Sequence, residues 1–125
     1  MLGLPVELLG RIKVKDSRQE LLKGTLDMLI LQALHEGAMH GYGVARWIEE
    51  RTEGTLIIEE GSLYPALYRM EKRDWVESRW GASENNRRAR YYEMTDAGRK
   101  QLDKETQSWA RLVWAINRIV PVPAA

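Results

Sequence analysis

The chain has 125 residues, an apolar fraction of 44%, a charged fraction of 30% and a net charge of +1. This length predicts one domain with a single core, and the absence of cysteine excludes a disulfide scaffold and a cysteine-zinc site. No apolar run approaches the ~20 residues of a membrane span, and the first residues lack the basic start of a secretory signal. We therefore expect a cytoplasmic globular protein with no membrane association.

Residues 1–16 are predicted to form an N-terminal arm, because glycine and proline interrupt their apolar pattern. Residues 17–94 follow as the main domain, with three helices and a β-hairpin. The hydroxyl of Ser17, three residues before Glu20, predicts a capping box at the start of the first helix, which ends near Gly37. This helix is apolar on more than one side, so we expect it to be buried against more than one partner.

A second helix is predicted to begin at His40 and to end at Gly54, with one apolar stripe along its length. His40 precedes two glycines, so it is predicted to order a turn or to reach a phosphate. Residues 56–58 are short, apolar and largely β-branched. They are predicted to form a brief strand or an extended link.

The third predicted helix, from about residue 62 to residue 73, separates an apolar face from a polar one. At 100° per residue, its apolar side chains form one stripe. The opposite face carries hydroxyls and cations that suit phosphates, and ring edges that suit thymine methyl groups. Ser62 is predicted to cap this helix, with Pro65 in its first turn. The predicted DNA-binding residues are Ser62, Tyr64, Pro65, Tyr68, Arg69 and Lys72. A solvated amphipathic helix without a ligand is the alternative.

Two strands at residues 75–80 and 87–94 are predicted to form a hairpin around a polar loop. Between Arg69 and Arg90 the chain has seven basic and four acidic residues, so its charge is polarised despite the small net value. Arginines at a hairpin tip can enter a narrow minor groove or bracket the DNA backbone. These arginines are Arg87, Arg88 and Arg90. A solvated charged strand is the alternative, but the order of helix and cationic hairpin indicates a winged helix-turn-helix. The predicted fold class is mainly α with a small β-hairpin.

Residues 95–120 are predicted to form a long C-terminal helix, capped at Thr95 and followed by a tail at 121–125. A helix of this length, ~36 Å, would project beyond so small a core. Apolar residues recur along it at seven-residue spacing, which predicts a dimerisation seam. The predicted seam residues are Leu102, Trp109, Leu112, Val113, Ile116, Ile119 and Val120.

Trp109 and Trp114 on this helix allow two interpretations. In the first interpretation the protein is a small-molecule sensor, and a flat, drug-like ligand stacks between these two tryptophans at the dimer interface. Packing is the alternative, because tryptophan commonly fills interfaces. The sequence predicts no catalytic site, no metal site and no cofactor: His35 and His40 match no ligand pattern, and residues 41–43 lack the third glycine of a dinucleotide loop.

Five stretches carry a family resemblance: residues 24–31 (GTLDMLIL), 39–45 (MHGYGVA), 61–67 (GSLYPAL), 80–92 (WGASENNRRARYY) and 102–116. On these stretches the sequence closely resembles the PadR-like transcriptional regulators, specifically the acidobacterial-type branch with a short C-terminal helix. The resemblance covers roughly residues 20–118 in the family's order. The sequence departs from the family's pattern at two positions. Asp74 stands where relatives tend to carry a helix-ending glycine, and Ala38 stands where proline is usual. Aspartate can adopt the left-handed conformation of a helix cap at some cost in free energy.

The resemblance implies a winged helix-turn-helix homodimer that binds a pseudo-palindromic double-stranded DNA operator and usually represses. It implies dimerisation through the C-terminal helix with help from the first helix, where Leu21 and Leu22 are the predicted contacts. Carried over by position, it places His40 and Tyr42 at the start of the second helix. The wing is residues 85–90, which include Asn86, and the recognition-helix residues are Ser62, Tyr64, Pro65, Tyr68 and Arg69. We predict a DNA-binding regulator with a possible small-molecule effector. A small-molecule sensor and a protein-interaction module without DNA binding are the alternatives.

Overall fold

The computed structural model describes residues 19–121, with side chains from residue 25 onward. Within that range the backbone forms four helices and three strands, which confirms the predicted mainly α fold class with a small hairpin. The elements are α1 (Gln19–His35), β1 (Met39–His40), α2 (Gly41–Arg51), α3 (Glu60–Lys72), β2 (Val76–Ala82), β3 (Arg88–Met94) and α4 (Asp96–Ile119). The N-terminal arm, the capping box at Ser17 and the side chains of Leu21 and Leu22 lie outside the described residues.

The sheet has three antiparallel strands in the order β1-β3-β2. β2 and β3 form the predicted hairpin, with Val76 opposite Met94 at one end and Ala82 opposite Arg88 at the other. The sequence did not predict β1, because two residues are too few to show an alternating pattern. β1 pairs His40 with Tyr91 of β3, and so it joins the start of α2 to the hairpin.

The core lies where α1, α2, α3 and the sheet meet. α1 contacts α2, α3, α4 and β3, which confirms its expected burial against more than one partner. Ile30 and Leu31 of α1, Ile48 of α2, Leu67 of α3 and Val76 of β2 are all fully buried. Burying one such side chain contributes about 1.5–3 kcal/mol. The core therefore fixes where α3 and the hairpin lie.

α3 begins earlier than the sequence predicts. Its N-cap is Glu59, whose carbonyl accepts the N–H groups of Ser62 and Leu63, both at 3.0 Å. The prediction that Ser62 caps the helix is wrong: this residue is 3% exposed, and its buried hydroxyl has no hydrogen-bond partner among the described residues. Pro65 consequently lies beyond the first turn, where it removes the N–H that would bond to Gly61. Gly61 is exposed, so water can reach its carbonyl.

A residue in the left-handed conformation ends α3, as predicted for Asp74. Its φ is +64°, and its N–H donates to the carbonyl of Glu71 at 3.0 Å. The N–H of Trp75 donates to the carbonyl of Met70, also at 3.0 Å. These two bonds form the Schellman pattern that closes helices, and the chain then leads directly into β2.

The first turn of α4 is docked on the corner between α3 and β2. Thr95 Oγ1 accepts the N–H of Gly98 at 3.0 Å, which confirms the predicted cap, and donates to the carbonyl of Asp74 at 2.6 Å. A Cβ at Gly98 would lie 2.1 Å from the carbonyl oxygen of Trp75, so only glycine fits. Leu102, one turn later, is buried. The rest of α4 extends beyond this contact.

Candidate nucleic-acid interface

α3 presents the polar face that the sequence predicts. Its apolar stripe is buried, whereas Tyr68 is 62% exposed and Tyr64 is partly exposed beside it. Pro65 and Lys72 are exposed as well. The Lys72 ammonium lies 5.1 Å from the centre of the Tyr68 ring. Two hydroxyls and one cation therefore project from the same helix face, which suits contact with a duplex.

Tyr64 packs across the start of α2, where only glycine leaves room for its ring. A Cβ at Gly41 would lie 2.5 Å from Cε1 of Tyr64 and 2.7 Å from its hydroxyl oxygen. Burial, and secondarily the carboxylate of Glu60, raise the pKa of the Tyr64 hydroxyl above its usual value. The shift favours the protonated hydroxyl, which can donate a hydrogen bond to a phosphate oxygen.

His40 caps α2 through its side chain. Its Nδ1 accepts the N–H of Gly43 at 2.9 Å, so the ring proton of neutral His40 lies on Nε2. The ring packs edge-on against Tyr91, with the ring centres 5.4 Å apart, and stacks near Tyr42. Ordering the start of α2 is one of the two roles predicted for His40. Tyr42 beside it faces solvent.

Arg69 does not belong to the exposed face of α3. Its Nη2 donates to Oδ1 of Asp27 on α1 at 2.5 Å. The Arg69 side chain is 29% exposed and that of Asp27 11%, so the ion pair is largely shielded from water. Arg69 is therefore a positioning residue between α3 and α1 rather than a side chain presented to bases. Ser62, which is buried, likewise presents no hydroxyl to DNA.

The hairpin loop is folded by its own hydrogen bonds. The N–H of Ser83 donates to the carbonyl of Arg87 and the N–H of Asn86 to the carbonyl of Ser83, both at 2.8 Å. Asn86 has a φ of +58°, in the left-handed region that asparagine tolerates. The hydroxyl of Tyr91 donates to the carbonyl of Ala82 at 2.8 Å. Asn86 and Arg87 are thus held exposed at the tip.

Two wing arginines pack on Trp80, a residue that the sequence analysis missed. The guanidinium carbons of Arg88 and Arg90 lie 4.2 Å and 5.6 Å from its ring centre. Arg90 also donates to Oγ of Ser78 at 2.9 Å and to Oε2 of Glu71 on α3 at 3.3 Å. This network ties the wing to α3. The observed strand register places Trp80 opposite Arg90, a pairing that the strand bounds predicted from the sequence did not give.

A cleft of about 470 Å³ lies between the hairpin and the start of α2. Its lining includes Trp80, Glu84 and six predicted DNA-binding residues from β1, α2, α3 and the hairpin: His40, Tyr42, Tyr64, Arg87, Arg88 and Arg90. Tyr68 and Lys72 line a neighbouring cleft of about 430 Å³ that Arg90 also borders. Concave surfaces with several cations and hydroxyls are complementary to a phosphate backbone. The fold thus brings together residues that lie up to fifty positions apart in the sequence.

The predicted dimerisation residues beyond Leu102 lie on the part of α4 that projects from the core, with Val120 at the C-cap of that helix. Most of them are exposed apolar side chains, and Val113 and Ile116 are half-buried. Trp109 belongs to this seam. Trp114 lies about 140° around the helix from Trp109, because each residue adds 100°. The two predicted ligand-binding tryptophans therefore occupy different faces of α4.

Among the described residues, no three histidine, aspartate or glutamate side chains form a group that could hold a metal ion. No helix in this part of the chain is long and apolar enough to cross a membrane. The groups that line the cleft offer hydrogen bonding, positive charge and aromatic contact.

Comparison with known proteins decides the family. The model of the transcriptional regulator PadR-like family matches residues 30–104. The chain belongs to the PadR-like family. This confirms the resemblance, whereas the acidobacterial-type branch stays a prediction. PadR-like proteins are DNA-binding transcriptional regulators and not enzymes, which agrees with the prediction of no catalytic site.

Relatives match the chain over most of its length. A Lysinibacillus sphaericus protein described as "Uncharacterized protein X" is 30% identical over 95 residues, which cover 76% of this chain and 87% of that protein. The structure of a transcriptional regulator from Clostridium thermocellum is 32% identical with a TM-score of 0.74, covering 81% of this chain and 98% of that one. A PadR-like transcriptional regulator from Bacillus cereus is 30% identical with a TM-score of 0.70, covering 83% and 99%.

The ion pair of Arg69 with Asp27 should contribute measurably to the free energy of unfolding. Arg69→Met keeps the apolar stem and removes the charge that faces a shielded carboxylate, so we expect it to lower the free energy of unfolding by about 1–3 kcal/mol. Lys72→Met, which removes an exposed cation from the same helix, should change that energy by less than about 0.5 kcal/mol. Urea unfolding followed by circular dichroism measures both. Equal losses in the two variants would contradict the role assigned to Arg69.

Proposed function

We propose that this chain is a homodimeric, sequence-specific DNA-binding regulator that represses transcription in the cytoplasm. The observation that carries the proposal is the cleft in which Tyr64 of α3 and the wing arginines line the same concave surface. Arginine and hydroxyl groups on such a surface bind phosphates and orient a protein on a duplex. Membership of a family of DNA-binding regulators supports the proposal.

In the proposed complex, α3 enters the major groove with its exposed face toward the bases. The ring edges of Tyr64 and Tyr68 contact thymine methyl groups, and their hydroxyls bond to phosphates. Pro65, which has no N–H, adds an apolar contact, and Lys72 reaches the backbone from the last turn. Because these side chains are the ones that meet base edges, sequence preference resides in α3.

The wing and the start of α2 hold the duplex on either side of α3. Arg87, Arg88 and Asn86 grip the flanking backbone or enter the adjacent minor groove. His40 offers its Nε2–H and Tyr42 its hydroxyl to a phosphate. Contacts of this kind set the register of the protein on the DNA without reading its sequence.

A second copy of the chain is the proposed partner of α4. The exposed Trp109, Leu112 and Ile119 lie along a helix that projects from the core, and burying them requires another protein surface. A two-fold dimer presents two copies of α3 and so binds a pseudo-palindromic operator with half-sites ~34 Å apart. Repression follows where such an operator overlaps a promoter, because the bound dimer excludes the polymerase.

Loss of one wing cation should weaken binding to all DNA sequences alike. We expect Arg88→Ala to reduce the slope of log affinity against log salt by about one unit, because one phosphate contact is lost. Arg79→Ala is the control, since Arg79 is an exposed arginine of β2 that does not line the cleft. Tyr68→Ala should instead reduce the preference for operator over unrelated DNA. Fluorescence anisotropy with a labelled promoter duplex measures both, and an unchanged slope for Arg88→Ala would rule out the wing assignment.

The proposed dimer makes a direct prediction about α4. Leu112→Glu places a charge within the apolar seam, so we expect the variant to sediment as a monomer where the parent sediments as a dimer. Gln107→Glu introduces the same charge about 140° away from Leu112 on the polar side of the helix and should leave the dimer intact. Analytical ultracentrifugation distinguishes the two. A monomeric parent protein at micromolar concentration would refute the dimer.

A small-molecule effector is the second candidate function, favoured by the exposure of Trp109 at the seam. In a two-fold dimer a planar ligand would stack between seam residues of the two protomers, since Trp114 lies on the other face. We expect planar cationic dyes to quench the protein's tryptophan fluorescence, with this binding lost in Trp109→Ala and retained in Trp114→Ala. The reverse pattern would contradict a ligand site at the seam.

A further inference from the structure

The face of the hairpin that is directed toward α3 carries an exposed tryptophan. Side chains alternate along paired strands, so this face carries every second residue of each strand: Val76, Ser78, Trp80 and Ala82 of β2, and Arg88, Arg90, Tyr92 and Met94 of β3. Tyr92 is buried and Ser78 donates to Glu71 of α3 at 2.6 Å, which identifies the face as the one toward α3. Trp80 lies nearer the loop and is 54% exposed. The ring is therefore accessible at the edge of the proposed binding cleft.

Arg88 and Arg90 use the Trp80 ring in different ways. Arg90 is also held by Ser78 and Glu71, so its charge is balanced within the protein. Arg88 lies closer to the ring, at 4.2 Å, and among the described residues it makes no ion pair. The ring therefore holds in place one cation that forms no ion pair with a carboxylate of the described residues.

A guanidinium lying over an aromatic ring still has its hydrogen-bond donors available. In a stacked pair the ring contacts the flat face of the guanidinium, whereas the five N–H groups of the guanidinium lie in the guanidinium plane and point outward. Phosphate oxygens accept pairs of such in-plane N–H groups. An arginine without the ring would have to lose side-chain freedom when it binds, and this loss reduces affinity.

We propose that Trp80 is a positioning residue for DNA binding, whose ring holds Arg88 over the cleft in an orientation that a phosphate accepts. The inference rests on the proposed DNA-binding function and extends it to a side chain that acts through its neighbour. Trp80, Arg88 and Tyr64 of α3 all line this cleft. The contact between Arg88 and the DNA backbone thus depends on an aromatic ring at position 80.

Two substitutions at position 80 separate the effect of an aromatic ring on binding from the effect of an apolar side chain. Trp80→Phe keeps an aromatic ring, and Trp80→Leu keeps an apolar side chain without one. With a fluorescein-labelled duplex from the region upstream of the protein's own coding sequence, we expect Trp80→Leu to weaken binding about fivefold and Trp80→Phe to stay within about twofold of the parent. Thermal unfolding by circular dichroism checks that both variants are folded.

A double-mutant cycle with Arg88 tests whether Trp80 acts through that residue. In an Arg88→Ala background, Trp80→Leu should cause no further loss of affinity. The same loss in both backgrounds would overturn the proposal, as would Trp80→Leu binding like the parent or Trp80→Phe binding as weakly as Trp80→Leu. A parent protein that binds no DNA would instead refute the proposed function, so the two failures are distinguishable.

Discussion

The packing of α3 on the core is the constraint on which every proposed DNA contact depends. Its buried leucine and methionine side chains each contribute about 1.5–3 kcal/mol, more than any single surface contact. The ion pair of Arg69 with Asp27 adds less net energy, because the cost of desolvating two charges offsets most of their attraction. Its effect is geometric: the pair joins α3 to α1 and so opposes rotation of α3 about its own axis, while the buried stripe of α3 keeps Tyr64 and Tyr68 facing outward.

The position of the wing relative to α3 is fixed because the two are joined at both ends of their contact. The left-handed turn at Asp74 leads directly from α3 into β2, and the close approach of Gly98 to a carbonyl of the same corner braces that turn. Farther out, Glu71 of α3 accepts hydrogen bonds from Ser78 and Arg90 of the wing. A carboxylate on this side would repel phosphates if it were alone, but Arg90 balances its charge. The distance between α3, which is proposed to enter the major groove, and the wing arginines, which are proposed to bind the DNA backbone, is therefore fixed.

Periodicity predicted the helices and the hairpin because each is long enough to show its repeat, and local chemistry predicted the Thr95 cap. The structure differs from these predictions where contacts between residues distant in the sequence determine the position of a side chain. Arg69 lies at the border between the two faces of α3, and only Asp27, forty-two residues earlier, directs it inward. Ser62 was misplaced because α3 starts without a capping side chain to mark its beginning. Trp80 was missed because its two arginines become its neighbours only through strand register and twist.

A titration of the parent protein against DNA from its own promoter region tests the central claim most directly. Fluorescence anisotropy at two salt concentrations, with unrelated duplex as competitor, separates specific from non-specific binding. The account predicts saturable binding that weakens as salt rises and that survives an excess of unrelated DNA. Absence of binding at low salt, or equal competition by unrelated DNA, would contradict a sequence-specific regulator acting at that promoter.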